Sequence, residues 1–238
     1  MKYIEAGSYE ELSRIAAGII ADQVKEKPDC VLGLATGSTP IGTYKELIKK
    51  YEAGELDFSK VKTVNLDEYI GLDGSSDQSY RYFMNHNLFE HIDIDVSRTH
   101  VPSGLDIAAA EAYDKAIEEA GGIELQLLDI GNNGHIGFNE PGTPLDSITH
   151  LVDLTEMTRK ANARFFTSLD EVPTQAVTMG IKTVMNARSI MLMALGKGKA
   201  DIVKASFTGP VTTLVPASIL QLHPSVEIYL DYDEASLL

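Results

Sequence analysis

The chain has 238 residues, 44% of them hydrophobic and 23% charged, with 19 glycines against 9 prolines. That composition excludes collagen-like, low-complexity and disordered classes, and at about 150 residues per domain it predicts a single α/β domain spanning the whole chain, residues 1–238. Twenty Lys and Arg against 35 Asp and Glu give a net charge of −15, a field that repels nucleic acid and anionic lipid, so neither is expected as a partner. The opening Met1–Gly7 stretch lacks the continuous apolar run of a signal peptide. No stretch approaches the ~20 apolar residues of a membrane span, so a cytoplasmic protein is expected.

Ser8 and Glu11 form a capping box ahead of Leu12, Ile15, Ile19 and Val24 at helical spacing, which predicts a helix over 8–26 ended by Pro28. Cys30, alone in the chain, excludes an intramolecular disulfide and reads as buried filler at the head of an apolar run. Val31–Ala35 is short and continuously apolar, as in a parallel strand covered on both faces. Thr36 to Thr39 then form a turn, and Pro40 sits where a first helical turn tolerates a missing N–H. The alternation recurs with strand Val61–Leu66, helix Ser79–Phe89, a helix near 107–120, strand Leu125–Ile130, strand Ser189–Leu195, helix Lys197–Ser206 and strand Val226–Leu230. It predicts an α/β fold: three layers, a doubly wound and mostly parallel sheet, modified Rossmann-like, with helices on both faces. Ligands in such folds bind beyond the carboxyl ends of the strands.

A chain this acidic repels a phosphorylated metabolite unless cations and backbone N–H groups gather locally. Ala35-Thr36-Gly37-Ser38-Thr39-Pro40 offers such a cradle, with a glycine turn, flanking hydroxyls and a helix N-terminus, the alternative being an ordinary turn capped by Thr39. The chain matches neither Gly-x-Gly-x-x-Gly nor Gly-x-x-x-x-Gly-Lys-Ser/Thr, so nicotinamide cofactors and nucleoside triphosphates are unsupported. In Asn65-Leu66-Asp67-Glu68-Tyr69, two adjacent carboxylates follow a strand. Asp67 can act as a base towards a carbon-bound proton, and the alternative is a solvated loop carboxylate or a helix cap. The stretch from Gly131 to Pro141 concentrates glycines, the amides Asn132, Asn133 and Asn139, the imidazole of His135 and the carboxylate of Glu140 in one loop. An imidazole ordinarily titrates near neutrality, as proton transfer between two oxygens requires, and Glu140 can orient it or share its proton. A metal is not expected, because His135 and Glu140 are five apart in a Gly- and Pro-containing loop with no second histidine nearby. Basic groups cluster at Arg159-Lys160-Ala161-Asn162-Ala163-Arg164 and Gly196-Lys197-Gly198-Lys199, either as anion ligands or as solvated helix faces.

In order and spacing these motifs resemble the glucosamine-6-phosphate deaminases, over nearly the whole chain from the first helix to Leu222-His223-Pro224. The resemblance implies conversion of glucosamine 6-phosphate and water to fructose 6-phosphate and ammonia without a cofactor. It implies that His135, with Glu140, opens the sugar ring and that Asp67 carries the C2 proton to C1. By the same resemblance Thr36, Gly37, Ser38, Thr39, Arg164 and Lys199 hold the phosphate and nearby hydroxyls. Some members carry aspartate where this chain has Asn133, so here Glu140 alone supplies charge beside the histidine and the amide orients. Longer relatives bind an acetylated effector through a C-terminal extension and cations after Glu140. Here that stretch reads His150-Leu151-Val152-Asp153, so the effector site is expected to be absent, in a monomer or a homo-oligomer. Two other readings compete. A phosphogluconolactonase resembles this family but needs no base for a C–H, and a sugar-phosphate sensor would require a DNA-binding segment and a more basic surface.

Overall fold

Half of the predicted capping box closes: Ser8 Oγ accepts the Glu11 N–H at 3.2 Å, satisfying a donor that a helix start leaves open, while the Glu11 carboxylate accepts the N–H of Gly7, one residue ahead of the cap, at 2.7 Å. The computed structural model describes residues 1–108, 112–196 and 198–231. Its first helix, α1, runs Tyr9–Glu26 and buries Leu12, Ala16, Ile20 and Val24. A strand, β1 (Lys2–Ala6), precedes it with only Ala6 buried, so no apolar run in the sequence marks it.

The remaining elements are β2 (Val31–Leu34), α2 (Ile41–Glu52), β3 (Lys62–Asn65), β4 (Asp67–Tyr69), α3 (Tyr80–Asn87), β5 (Thr99–His100), α4 (Tyr113–Ala120) and β6 (Leu125–Asp129). Then follow β7 (His150–Asp153), α5 (Glu156–Asn162), β8 (Gln175–Thr178), α6 (Ile181–Met185), β9 (Ser189–Ala194), α7 (Ala200–Thr208) and β10 (Val226–Asp231). The expected helices near 107–120 and 197–206 fall partly on residues 109–111 and Lys197, which lie outside the described residues.

Seven strands form one wholly parallel sheet in the order β1-β10-β9-β6-β2-β3-β5, with helices flanking it. β2 is buried at every position, and Leu127, Leu128, Met191 and Leu192 of β6 and β9 are likewise out of solvent, each contributing about 1.5–3 kcal/mol of apolar burial. The chain runs outward from β2 through β3 to β5 and then returns to the other side of β2 as β6. The order therefore reverses between β2 and β6, and a crevice opens beyond their carboxyl ends.

A second sheet was not legible in the sequence. β4, β8 and β7 pair antiparallel, with Asp67 opposite Thr178 and His150 on its other side. β4 is three residues long and polar at two of them, and β7 alternates between half-buried and exposed positions, so neither shows an apolar run. A small apolar cluster of Tyr69, Phe138, Leu154 and Ala176 packs within this region. Leu66 C=O accepts the Met179 N–H at 2.6 Å and ties the small sheet to the end of β3.

Candidate active site

The two loops on either side of the β2/β6 reversal face one cleft of about 1080 Å³. From the first, Thr36, Gly37, Ser38 and Thr39 line it, with Gly37 at φ +90°, a backbone state that costs other residues strain. Tyr9 buttresses this turn, its hydroxyl donating to Ser38 C=O at 3.2 Å and Thr39 C=O at 3.1 Å and accepting the Gly42 N–H at 2.7 Å. Thr39 does not cap the helix. Pro40 occupies that position, and Thr39 Oγ1 donates instead to Asp129 Oδ2 at 3.0 Å, across the crevice.

At the end of β6, Asp129 also takes Lys199 Nζ at 2.8 Å on Oδ1. Lys199 sits at the start of α7, and Arg164, in a 3-10 turn over Ala163–Phe165, reaches Ser38 Oγ at 3.3 Å while stacking on the Phe165 ring at 4.7 Å. Both cations thus join the hydroxyl turn at one end of the cleft. The rest of the basic run does not. Arg159 donates to Leu169 and Val172 carbonyls and pins the segment after α5, and Lys160 pairs with Glu156 on the surface.

The loop after β6 holds the other reactive groups. A Cβ on Gly131 would lie 2.3 Å from His135 Nε2 and 2.4 Å from its Cδ2, so the imidazole occupies the space that only glycine leaves open. His135 Nδ1 points at Glu140 Oε2 at 3.6 Å. The Asn133 side chain bridges the pair, its amide donating to Glu140 Oε2 at 2.6 Å and its carbonyl accepting the His135 backbone N–H at 3.2 Å. Glu140 also accepts the hydroxyls of Thr158 and of Thr155, the latter at 3.3 Å. Burial pushes its carboxyl up, but His135, Thr158 and Asn133 outweigh that and hold it down at about 2. Asn133 and His135 line the cleft, whereas Glu140 stands behind them and reaches it through the imidazole.

Asp67 and Glu68 share β4 but face different ways. Glu68 takes the helix-cap role, accepting the N–H groups of Tyr80 and Arg81 at 3.0 Å each and of Tyr69 at 2.8 Å. Asp67 is buried at the wall of the cleft, and among the described residues no side-chain hydrogen bond to its carboxylate occurs. Burial, and then the charge of Glu68, push Asp67 up to about 8. Tyr69 packs beside it with its hydroxyl accepting from Asn162 at 2.9 Å.

Thr36, Gly37, Ser38, Thr39, Asp67, Asn133, His135, Arg164 and Lys199 therefore line one cleft, with Glu140 behind the imidazole, while Glu68, Arg159 and Lys160 serve elsewhere. Residues 6–228 match the family of glucosamine-6-phosphate isomerases and 6-phosphogluconolactonases. The chain belongs to that family. It is 56% identical over 241 residues, covering all of both chains, to the glucosamine-6-phosphate deaminase of Clostridium perfringens strain 13. It is 58% identical to that of Lachnoclostridium phytofermentans, over 96% of this chain and 98% of the relative. A solved structure of a monomeric glucosamine-6-phosphate deaminase superposes with a TM-score of 0.98 at 48% identity over the full length of both chains. The 6-phosphogluconolactonase of Trypanosoma brucei shares the fold at a TM-score of 0.81 and 19% identity, over all of this chain and 98% of that one.

Tyr9 and Asp129 escaped the sequence reasoning. Tyr9 lies in a helix whose spacing speaks only for its buried face, and Asp129 closes a strand read from its three leucines. Among the described residues no cluster of three or more His, Cys, Asp or Glu converges as metal ligands, and no helix is long and apolar enough to cross a membrane.

Proposed function

We propose that this chain, as one domain over residues 1–238, converts glucosamine 6-phosphate and water to fructose 6-phosphate and ammonia with its own side chains and no cofactor. The observation that carries the reading is the division of the cleft. Hydroxyls, a helix N-terminus and two cations stand at one end, and a buried carboxylate and a histidine–glutamate pair stand at the other. A phosphate held at Thr36, Gly37, Ser38, Thr39, Arg164 and Lys199 supplies binding energy remote from the reacting carbons, which orients C1 and C2.

In this reading the His135 imidazole moves a proton from the O1 hydroxyl to the ring oxygen and opens the pyranose, while Glu140, held ionised, stabilises the imidazolium formed in between. Asp67 then removes the C2 proton, giving an enolamine, and returns it to C1, giving the ketose imine. Water adds at C2, the C–N bond breaks and ammonia leaves. The high affinity of the buried Asp67 for protons suits this shuttle, because the carboxyl that receives the C2 proton is neutral and keeps it until C1 accepts it. The full-length likeness to deaminases, one of them monomeric, supports a catalytic unit that needs no second subunit.

An ammonia-release assay tests this with glucosamine 6-phosphate, its N-acetylated form and 6-phosphogluconolactone. Ammonia is expected from the first alone, with hyperbolic kinetics that N-acetylglucosamine 6-phosphate leaves unchanged. Lactone hydrolysis without ammonia would replace the proposal by the lactonase reading, and binding without turnover would replace it by a sensor.

A further inference from the structure

The cationic end of the cleft already contains an anion. Asp129 accepts three donors: Thr39 Oγ1 at 3.0 Å, Lys199 Nζ at 2.8 Å and the Ile130 N–H at 2.8 Å. Two of these, Thr39 and Lys199, are donors that the proposed phosphate site requires. A carboxylate accepting a hydroxyl, an ammonium and a backbone N–H makes the same pattern of bonds that a phosphate oxygen edge would make.

We propose that Asp129 is a resident counter-anion of the phosphate subsite, competing with the ligand for Thr39 and Lys199 and so setting how weakly phosphorylated ligands are held. The inference rests on the phosphate reading above. The Asp129 side chain is about one-third exposed and that of Lys199 only 15%, so the pair is partly sheltered and its charges are screened less than a surface pair. A phosphate dianion that reaches Lys199 must share it with a carboxylate, and the two anions then stand across one ammonium. Asp231 adds a second carboxylate at this end, accepting the Gly196 N–H at 2.9 Å. Substrate and product carry the same phosphate, so a tighter grip would bind both equally, lowering KM and slowing release without lowering the chemical barrier. Asp129 keeps Lys199 and the Thr39 hydroxyl ordered in the open site and at the same time tempers that grip.

The test is calorimetric titration of inorganic phosphate into the whole chain at low salt, together with KM for glucosamine 6-phosphate and product inhibition by fructose 6-phosphate. Asp129→Asn keeps an oxygen for Lys199 and the Ile130 N–H but removes the charge. It is expected to bind inorganic phosphate about tenfold more tightly, with KM and the fructose 6-phosphate inhibition constant falling in parallel. Asp129→Ser, shorter and uncharged, should move in the same direction and serves if the first variant misfolds. Lys199→Ala should weaken phosphate. If Lys199→Ala weakens it while both Asp129 variants bind phosphate as wild type or less tightly, Asp129 is only a prop for Lys199 and the inference is wrong. If Lys199→Ala leaves phosphate binding unchanged, the phosphate subsite itself is wrong.

Discussion

The Asn133 side-chain amide donates to Glu140 Oε2 at 2.6 Å. An amide at that distance shares a proton without adding charge, and this is one reason why Glu140 is held down at about 2 despite burial. Asn133→Asp would put a second carboxylate in the same contact, and two carboxylates that close cannot both ionise cheaply. The pair would share a proton, and neutral Glu140 would no longer stabilise the His135 imidazolium of the proposed ring opening. The acid limb of kcat/KM is therefore expected to move up in pH, with activity at pH 6 falling several-fold more than at pH 8. A rate profile measured between pH 5 and 9 checks this, and superimposable profiles would remove the assigned role of Asn133.

Asp67 sets stability against activity. Its carboxyl is raised to about 8 by burial and by Glu68, whereas an unfolded aspartate titrates near ~4. Between those values the folded chain binds more protons than the unfolded chain, so stability falls as pH rises from about 4 to about 8. Asp67→Asn removes this dependence. The variant is expected to melt about 2–4 °C above wild type at pH 8, for a gain of about 1 kcal/mol, and to lose ammonia release by about 10²–10⁴-fold. Melting at pH 5 and pH 8 beside steady-state assays separates the two effects. In wild type, kcat/KM should climb with pH towards about 8 as the free base ionises.

The His135 ring depends on the missing side chain of Gly131. A methyl there would stand 2.3 Å from Nε2, and the ring must move because the backbone of the turn is fixed by Gly131 N–H donating to His135 C=O at 2.9 Å. Gly131→Ala is expected to reduce kcat by about 10²-fold, the scale set by an ångström of misplacement. KM should change far less, since the proposed phosphate end is untouched. Equal losses in kcat and in affinity for inorganic phosphate would show a general collapse of the loop instead.

Glu68 is structural although it adjoins Asp67. Glu68→Ala strips three N–H acceptors from β4 and the start of α3, and bonds to a charged acceptor contribute about 1.5–3 kcal/mol each when made but are not additive. A loss of about 2–4 kcal/mol in denaturant unfolding is expected, far above the ±0.5 kcal/mol of a surface change. Glu68→Gln, which keeps one acceptor oxygen, should recover part of it.

The alternation of short apolar runs with 3.6-residue periodicity made the parallel strands β2, β3, β6, β9 and β10 and the helix α1 legible, because burial on both faces of a strand writes itself into consecutive residues. The same logic marked the loops after those strands as the places to look, and Thr36 to Thr39, Asp67, His135 and Lys199 do line the cleft. The second sheet stayed hidden because β4, β7 and β8 are short and carry polar residues among the apolar ones, and β4 pairs with β8 across about 110 residues.

The residue pattern by itself thus determined the fold class and the loops that carry reactive groups, since both follow from periodicity within a few residues. Which loops meet was decided only by tertiary structure. The reversal between β2 and β6 brings Thr39 to Asp129, 90 residues away, and the turn after α5 carries Arg164 to Ser38 across 126 residues. The separate fates of Asp67 and Glu68 follow from the alternation of faces along β4, which turns one carboxylate into the cleft and the other onto the α3 amides. Strand order and strand facing are properties of the closed sheet, and local hydrophobic spacing does not encode them.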